Sequence, residues 1–366
     1  MFVQKNSSCY WLIRIATFAG GFVFEELRKY FGVLMIDYAD VVVGLAWGDE
    51  AKGKITSYLA KTGEYDLVAR WAGGNNAGHT VYIDGVKYAT HLIPSGIFYG
   101  IPSLIGPGCV LHPESFDKEV AYLKDAGFDT SLIKVAPNCH IVVDEHIQFD
   151  KENLAGKLGT TSRGIAPAYA AKAARTGVLA KDVLAKEMLW EGGLEGRILC
   201  EGAQGVWLDI NQGNYPFVTS SETLPYAACS IGFPPQKVRD VFGAAKIYDT
   251  RSGEDPLFPA ELLEDPVLGK LADLGKEFGV TTGRRRKVNW LNLDLLVKSI
   301  NITGTTYVVI SKCDVLKELG VFKLFFNDEL IEFKNMRTLK MVVENTILDR
   351  CPMVEEVSFS YSPEKI

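Results

Sequence analysis

The sequence predicts an α/β protein with a mostly parallel central sheet, flanked by helices and built around a phosphate loop like that of P-loop NTPases. Two observations lead to this prediction. Short runs rich in valine, isoleucine and leucine alternate with helical stretches, and several of these runs are apolar throughout, as strands buried on both faces are. Long loops rich in glycine, threonine, serine and asparagine follow them, which is typical of loops that bind ligands.

The first predicted strand covers residues 40–44 and runs into the sequence GDEAKGK at 48–54. These seven residues match the first seven places of the phosphate-loop pattern GxxxxGK[ST], and a helix is predicted from about 52 to 61. The eighth place is Ile55, where a hydroxyl would hold Mg²⁺. Asp49 is then the nearest hard oxygen ligand for a metal ion.

Further strands are predicted after this unit, at 65–70, 103–108, 197–202, 244–249 and 306–312. Long polar loops are predicted at 72–80, 156–167, 211–223 and 279–284. No repeat and no low-complexity linker divides the chain, so we predict one catalytic domain over residues 39–366.

Composition argues against several classes of partner. The formal net charge is −6, and the one basic run at 283–287 is local, so we expect no nucleic-acid partner. Seven scattered cysteines without a CxxC pair predict neither a zinc site nor a disulfide framework, and they favour a cytoplasmic location. The apolar run at 10–24 carries Arg14 and is too short to span a bilayer, so no membrane partner is expected.

Residues 1–38 are predicted to be an N-terminal extension. They are compatible with an added helix, a targeting peptide, or translated sequence upstream of the natural start. Met35 lies shortly before the first predicted strand, which favours the third interpretation.

Four of the loops carry side chains suited to phosphate or nucleotide chemistry. His79, in WAGGNNAGHT, is suited to donate a proton or to contact phosphate, although a structural histidine fits as well. GTTSRGIAPAY at 159–169 offers hydroxyls for a second, monophosphate-sized site. The arginines of TTGRRRK at 281–287 are suited to bind carboxylate or phosphate, although a solvated surface run fits as well. SKCD at 311–314 ends a predicted strand with an aspartate, whose carboxylate can accept hydrogen bonds from N1–H and the 2-amino group of guanine.

Eight motifs, in chain order, resemble those of the adenylosuccinate synthetase family. They are WGDEAKGK, GGNNAGHT, HLIPSGI, GTTSRGIAPAY, EGAQG, YPFVTSS, FGVTTGRRRKVNW and SKCDVL, and the resemblance covers about 40–316. The family joins IMP to L-aspartate with GTP and Mg²⁺, giving adenylosuccinate, GDP and phosphate. The resemblance therefore implies a cytoplasmic ligase of AMP synthesis that works through 6-phosphoryl-IMP.

The resemblance implies three catalytic residues. Asp49 would remove the N1 proton of IMP and, with the Gly78 carbonyl, would ligate one Mg²⁺ per subunit. His79 would stabilise charge as the γ-phosphoryl group leaves GDP. Gln204 would be the third, and it would also contact IMP.

The remaining matches are binding residues. Those for GTP are Gly48, Glu50, Lys52, Gly53, Lys54, Gly78, Thr80, Arg286, Lys312 and Asp314. Those for IMP are Asp49, Asn76, Thr161, Arg175, Gln204, Thr219 and Arg284, and those for aspartate are Thr281, Thr282, Arg284 and Arg286. Arg175 matches an arginine that reaches the IMP site of the other subunit, so the resemblance implies a homodimer.

The sequence departs from the family pattern at several places. Ala51, Ser162 and Ala166 replace glycines, and each change would cost about 1 kcal/mol wherever the position has a positive φ. Ser252 stands where a hydrophobic residue near the ribose is common. Only 52 residues follow Asp314, without the Gly-Pro loop that closes on guanine, so we expect a shortened C-terminus and a more open purine pocket.

Two other functions remain compatible with the sequence. Some viral relatives of the family aminate dGMP, and in those the aspartate of the phosphate loop is replaced, so Asp49 favours IMP. The lost glycines and the short C-terminal part are also compatible with a degenerate protein that binds purine nucleotides without catalysis.

Overall fold

The structure is a computed structural model that describes residues 35–279, 283–363 and 365–366. Within these ranges the strands are β1 (Ile36–Gly44), β2 (Leu67–Arg70), β3 (His79–Ile83), β4 (Val86–Thr90), β5 (Ser103–Ile105), β6 (Val110–Leu111), β7 (Ile133–Val135), β8 (His140–Ile141), β9 (Gly196–Glu201), β10 (Val238–Lys246), β11 (Tyr248–Arg251), β12 (Lys287–Asn292), β13 (Tyr307–Ser311), β14 (Lys323–Phe326), β15 (Glu329–Glu332) and β16 (Glu356–Phe359).

The α-helices in the same ranges are α1 (Lys52–Lys61), α2 (Pro113–Asp125), α3 (Asp144–Phe149), α4 (Ala155–Leu158), α5 (Ile165–Ala174), α6 (Pro266–Leu274), α7 (Leu293–Thr303), α8 (Cys313–Leu319) and α9 (Met336–Arg350). A π-helical turn at Asp150–Leu154 joins α3 to α4.

Eight strands form the central sheet, in the order β16-β13-β10-β1-β9-β2-β5-β7. All of its neighbouring strands are parallel. A second sheet has the order β11-β12-β14-β15, and β3 and β4 form a separate antiparallel hairpin. The predicted α/β fold with a mostly parallel central sheet is confirmed.

Strand β1 shows why this sheet has apolar strands. Successive residues point to opposite faces, and Val41 and Val43 pack into one hydrophobic cluster while Val42 packs with Ile55 of α1 in another. Because both faces of the strand are covered, its sequence is apolar from one residue to the next instead of alternating.

The boundaries of two predicted strands differ from those in the structure. The strand predicted at 244–249 is divided between two sheets, since β10 ends at Lys246 and β11 begins at Tyr248. Ile247 and Tyr248 are both buried across this change of sheet, so hydrophobicity alone did not reveal it. Strand β1 begins at Ile36, earlier than predicted. Its first three residues alternate between half-buried and exposed, so they lack the continuous apolar pattern on which the prediction was based. Residues 1–34 lie outside the described ranges.

In the part of the chain that the structure describes, no helix is long and apolar enough to cross a membrane.

The carboxyl ends of the parallel strands bring the predicted motifs to one edge of the sheet. Residues after β1, β2, β9 and β13 carry GDEAKGK, GGNNAGHT, EGAQG and SKCD respectively. Parallel strands direct these ends to the same side, and ligands of open α/β sheets bind there. The fold therefore assembles loops that are far apart in the sequence.

A buried acid, Asp40, joins neighbouring strands of the central sheet. Asp40 of β1 is fully buried and accepts a hydrogen bond of 2.7 Å from the Tyr65 hydroxyl. The Arg239 guanidinium contacts the same carboxylate, and it stacks on Tyr38 at 3.6 Å from the ring centroid. Three strands or loops thus meet at one carboxylate.

We expect Asp40→Ala to lower the free energy of unfolding by about 2–3 kcal/mol, because the buried hydroxyl of Tyr65 loses its acceptor and Arg239 its partner. The measurement is chemical denaturation. Glu114→Ala is the control, since it removes an exposed ion pair with Lys118 on α2 and should leave the midpoint unchanged. Equal effects of the two changes would contradict the assignment.

Candidate functional site

The loop between β1 and α1 is folded around a buried acid, Glu50. Its Oε1 accepts the amides of Gly48 at 2.7 Å and Ala46 at 3.2 Å, and its Oε2 lies 2.7 Å from Lys52 Nζ. Glu50 is 1% exposed. The carboxylate predicted to contact GTP therefore faces the protein's own amides and orders the loop from inside.

The backbone of this loop forms a concave turn with several left-handed residues. Gly48, Asp49 and Ala51 have φ values of 89°, 62° and 71°. Ala51 is also the N-cap of α1 and has no side-chain hydrogen bond to the helix. A concave turn of this kind at a helix N-terminus directs N–H groups toward an anion. The geometry is that of a phosphate cradle.

Asp49 stands at the open side of the cradle. Its side chain is 32% exposed, and its Oδ2 lies 2.7 Å from Arg286 Nε. The Ser252 hydroxyl donates to the same oxygen at 3.4 Å. Asp49 therefore combines a fixed position with access from solvent, as a general base requires.

His79, the first residue of β3, pairs with Glu201, the last residue of β9. Its Nδ1 contacts Glu201 Oε1, and Glu201 Oε2 accepts the Ser95 amide at 2.7 Å. Burial lowers the pKa of His79 although Glu201 acts to raise it. Burial acts to raise the pKa of Glu201, but the hydrogen bond with His79, the charge of Arg70 and the hydrogen bond from the Ser95 amide act in the other direction, and the pKa lies below its ordinary value.

These directions describe a neutral imidazole whose Nδ1–H donates to an ionised Glu201, which leaves Nε2 for a ligand. Glu201 was not predicted as a site residue. The EGAQG motif contained it, but only the pairing of β9 beside β2 places it against a histidine from another loop.

Gln204 lies where the loops after β1, β2 and β9 meet. An added Cβ at Gly48 would lie 3.9 Å from Gln204 Cα, and one at Gly73 would lie 3.4 Å from Gln204 Oε1. Within the described residues this Oε1 is a buried acceptor without a hydrogen-bond partner. A buried amide oxygen of this kind is suited to a donor on a ligand.

His79 also lies against the phosphate cradle. An added Cβ at Gly53 would lie 3.2 Å from His79 Cβ, so the glycine allows the first turn of α1 to approach the histidine. The three predicted catalytic residues thus surround one helix N-terminus.

Another buried acid, Asp150, shapes the predicted monophosphate loop. It accepts the Thr160 hydroxyl at 2.6 Å and the Gly164 amide at 2.9 Å. Thr161 follows in the same turn and is half-buried. Arg284 Nη1 donates to the Gly159 carbonyl at 3.4 Å, so the arginine loop and the threonine loop adjoin.

Thr219 belongs to a loop ordered by Asp209. The Asp209 carboxylate accepts the amides of Asn211 at 2.8 Å and Thr223 at 2.6 Å, and the Thr219 amide donates to the Leu208 carbonyl at 2.7 Å. Asp150 and Asp209 were not predicted, because nothing in their local sequence distinguishes them from exposed acids.

The two residues predicted to recognise guanine, Lys312 and Asp314, follow directly after β13. Lys312 is left-handed, with φ 66°, and its Nζ donates to the Gly275 carbonyl at 2.7 Å. Asp314 is exposed in the first turn of α8. Lys312 Nζ lies 3.8 Å from Glu277, a buried residue that was not predicted.

Lys54 is placed differently from the other cradle residues. Its Nζ donates to Ser360 Oγ at 2.7 Å and to the Ser362 carbonyl at 3.2 Å, so its ammonium faces the C-terminal segment. Burial lowers the pKa of Lys54 to about 8.

Other predicted residues lie at the margin of the site or outside the described ranges. Arg175 is exposed and left-handed at the end of α5. Asn76, Gly78 and Thr80 are half-buried around His79. Thr281 and Thr282 lie outside the described residues.

The site contains one carboxylate suited to Mg²⁺. No group of three or more histidine, cysteine, aspartate or glutamate side chains with metal-site geometry occurs in residues 35–279, 283–363 and 365–366. Mg²⁺ is commonly held by one or two carboxylates together with substrate phosphates. Asp49 at the edge of a phosphate cradle fits this arrangement.

The three substitutions of family glycines fall into two groups. Ala51 and Ser162 both have positive φ, at 71° and 55°, so the expected strain is present there. Ala166 is the second residue of α5 and is not among the described residues with positive φ, so the condition for strain is not met at this position.

We expect Ala51→Gly to raise the free energy of unfolding by about 1 kcal/mol, because it removes a Cβ from a left-handed residue. The matched variant Ala166→Gly should lower it by about 0.5 kcal/mol, since glycine weakens a helix. Chemical denaturation of both proteins gives the two values. Changes of the same sign would show that Ala51 is not strained.

Comparison with known proteins identifies the family of the chain. A family model described as adenylosuccinate synthetase matches residues 41–193 and 187–357. The adenylosuccinate synthetase of Listeria monocytogenes (serotype 4a) is 39% identical over 342 residues, which are 78% of this chain and 79% of the relative. That of Brevibacillus brevis is 38% identical over 354 residues, which are 80% and 82% of the two chains.

Solved structures are similar to most of the chain. The fully ligated adenylosuccinate synthetase from Plasmodium falciparum has a TM-score of 0.74 and 25% identity, with 89% of this chain and 98% of that one covered. The succinoaminodeoxyadenylate synthetase of cyanophage S-2L, bound to dGMP and dATP, has a TM-score of 0.69 and 19% identity, over 90% and 94% of the chains, and shares the fold. With the family model and the bacterial relatives, these observations show that the chain belongs to the adenylosuccinate synthetase family.

Proposed function

We propose that the chain joins L-aspartate to IMP with GTP, giving adenylosuccinate, GDP and phosphate. The observation that carries this proposal is the convergence of Asp49, His79 and Gln204 on the N-terminus of α1. A phosphate cradle with a general base at its edge and a histidine beside it suits a reaction that first phosphorylates a substrate oxygen.

Asp49 starts the reaction by accepting the proton from N1 of IMP. The electrons released make the 6-oxo oxygen a nucleophile, which attacks the γ-phosphorus of GTP while the bond to the β–γ bridging oxygen breaks and GDP leaves. The Arg286 guanidinium, 2.7 Å from Asp49, restricts the direction of the carboxylate. The amide of Gln204, whose Oε1 is a buried acceptor, orients the purine.

His79 stabilises the negative charge that develops on the leaving GDP. Glu201 holds Nδ1, so Nε2 is the nitrogen that meets the phosphates. The negative charge of bound nucleotide favours protonation of Nε2, and a positive imidazolium stabilises the transition state of phosphoryl transfer. In the second step the amine of aspartate attacks C6, and the 6-phosphoryl group leaves as phosphate.

Asp49 and the Gly78 carbonyl would hold one Mg²⁺ per subunit. The ion, when bound, neutralises the phosphates of GTP as the γ-phosphoryl group is transferred.

The other family matches supply the binding sites. Thr161, Thr219 and Asn76 hold IMP, and Arg175 reaches the IMP site of a second copy in a homodimer. Arg284 and Arg286, with Thr281 and Thr282, bind the carboxylates of aspartate, for which paired guanidinium groups are suited.

GTP contacts both ends of the cleft. Lys52, Gly53 and Thr80 lie at the phosphates, and Lys312 and Asp314 contact the guanine. The exposed Asp314 accepts from N1–H and the 2-amino group, which adenine does not offer. Lys54 reaches the phosphates if it exchanges its bonds to Ser360 and Ser362 for phosphate oxygens.

We expect the purified protein to form adenylosuccinate only when GTP, Mg²⁺, IMP and aspartate are all present. Asp49→Ala and His79→Ala should each lower kcat by about 10²–10⁴-fold, since each removes a group that acts on the transferred proton or phosphoryl group. The absorbance change on adenylosuccinate formation measures the rate.

Asp84→Ala is the matched control, because Asp84 is an exposed loop aspartate that also has a positive φ, at 49°. Asp84→Ala should keep the wild-type rate. An active Asp49→Ala protein would exclude the proposed base. Turnover with dGMP in place of IMP would reassign the substrate, and nucleotide binding without any turnover would indicate a degenerate site.

We expect Asp314→Asn to raise the KM for GTP by about 10- to 100-fold, because a charged acceptor for the guanine edge is lost. The amide can donate to the 2-oxo group of xanthine, so XTP should become the better substrate. Glu318→Gln, an exposed change on the same helix, serves as the control. An unchanged preference for GTP would rule out a contact between Asp314 and guanine.

A further inference from the structure

A buried cluster of charges centred on Glu277 lies behind the phosphate cradle. Glu277 is fully buried. Its Oε2 lies 2.7 Å from Arg286 Nη1 and 2.9 Å from Lys246 Nζ, and its Oε1 accepts the Tyr248 hydroxyl at 2.7 Å. Lys312 Nζ lies 3.8 Å away. One carboxylate thus pairs with three cations and a hydroxyl, which come from three separate segments of the chain.

Glu277 and Arg286 also close the base of the arginine loop. The Arg286 amide donates to the Glu277 carbonyl at 2.9 Å, and the Gly279 amide donates to the Arg284 carbonyl at 2.8 Å. Because both backbone and side chains of the pair are joined, the orientation of the Arg286 side chain depends on Glu277.

The Arg286 guanidinium bridges two carboxylates through different nitrogens. Nε lies 2.7 Å from Asp49 Oδ2, and Nη1 lies 2.7 Å from Glu277 Oε2. The contact with Glu277 is a hydrogen bond, whereas Nε contacts Asp49 as an ion pair without hydrogen-bond geometry, so Glu277 is the partner that fixes the plane of the guanidinium. The contact with Glu277 therefore determines how Arg286 presents its remaining N–H groups to a ligand beside Asp49.

Glu277 also pairs with two lysines, Lys246 and Lys312. Lys246 is buried, and its Nζ contacts are Glu277 and the Thr250 hydroxyl at 2.9 Å. Asp49 is the other carboxylate that acts on the Lys246 charge. If Glu277 became neutral, Asp49 would be the carboxylate that still acts on the Lys246 charge.

We infer that Glu277 is a positioning residue for the ligase reaction: it orients Arg286 beside Asp49 and pairs with Lys246 and Lys312 behind the base. The inference rests on the proposed function for its kinetic consequence, and its geometric part is independent of activity. Glu277 itself does not touch a substrate in this arrangement.

The variant Glu277→Gln tests this role because it keeps the shape of the side chain and removes its charge. Replacing a residue that orients a ligand-binding group typically costs about 10- to 100-fold in activity, and we expect kcat to fall by that factor. The KM for aspartate should rise more than the KM for GTP. A purely structural role would lower the melting temperature and the active fraction while leaving both KM values unchanged.

Asp273→Asn is the matched control, because Asp273 forms an exposed ion pair of 2.8 Å with Arg285, the neighbouring arginine. It should keep the wild-type kcat and KM. The double variant Glu277→Gln/Lys246→Met removes the unpaired buried lysine, so it should fold even if the single variant does not. Its Arg286 still lacks the anchor, so its kcat should remain low.

A crystal structure of the Glu277→Gln protein, or of the double variant, tests the geometry directly. In either protein we expect the separation between Arg286 Nε and Asp49 Oδ2, 2.7 Å in the wild-type structure, to exceed about 4 Å, the limit of an ion pair. An unchanged arrangement, or wild-type kinetic constants in an active Glu277→Gln protein, would overturn the inference. If the wild-type protein and Asp273→Asn also show no turnover, the proposed function fails, and the crystal structure alone decides the role of Glu277.

Discussion

The parallel alignment of β1 with β9 and β10 is the constraint on which the rest of this molecule depends. Because both neighbours of β1 run in the same direction, the loops that leave these strands emerge at one edge of the sheet. Strand β2 lies beside β9 and adds the loop with His79. The cradle, the histidine and Gln204 meet because of this alignment, although they are spread over more than a hundred residues of sequence.

Buried carboxylates then order the loops at that edge. Each is buried beside a polar loop and accepts backbone amides or hydroxyls, or pairs with a cation, as is the case for Glu50, Asp150, Glu201, Asp209 and Glu277. Burial of a charge is costly unless it is paired or hydrogen-bonded, so each acid favours the one loop conformation that surrounds it with donors. The arrangement gives long loops a defined shape without regular secondary structure.

The strain in the cradle has a related origin. The turn around Glu50 requires left-handed backbone, and Ala51 adopts it without the freedom of glycine. The amides of Gly48 and Ala46, both bound to Glu50, hold the turn in place, so local strain is offset by the hydrogen bonds of the same loop. At Ala166 no such compensation is needed, because the chain is already helical there.

The sequence by itself determined the fold class, the strand-to-helix unit around GDEAKGK, and the residues of the candidate site that belong to recognisable motifs, such as Asp49 and His79. These features depend on local patterns of apolar residues and on short motifs, which a sequence displays directly. The division between β10 and β11, the partners Glu201 and Glu277, and the direction of Lys54 were decided only by the tertiary structure. An acid that is buried among distant loops has the same local sequence as one on the surface, and only the packing of those loops supplies its donors.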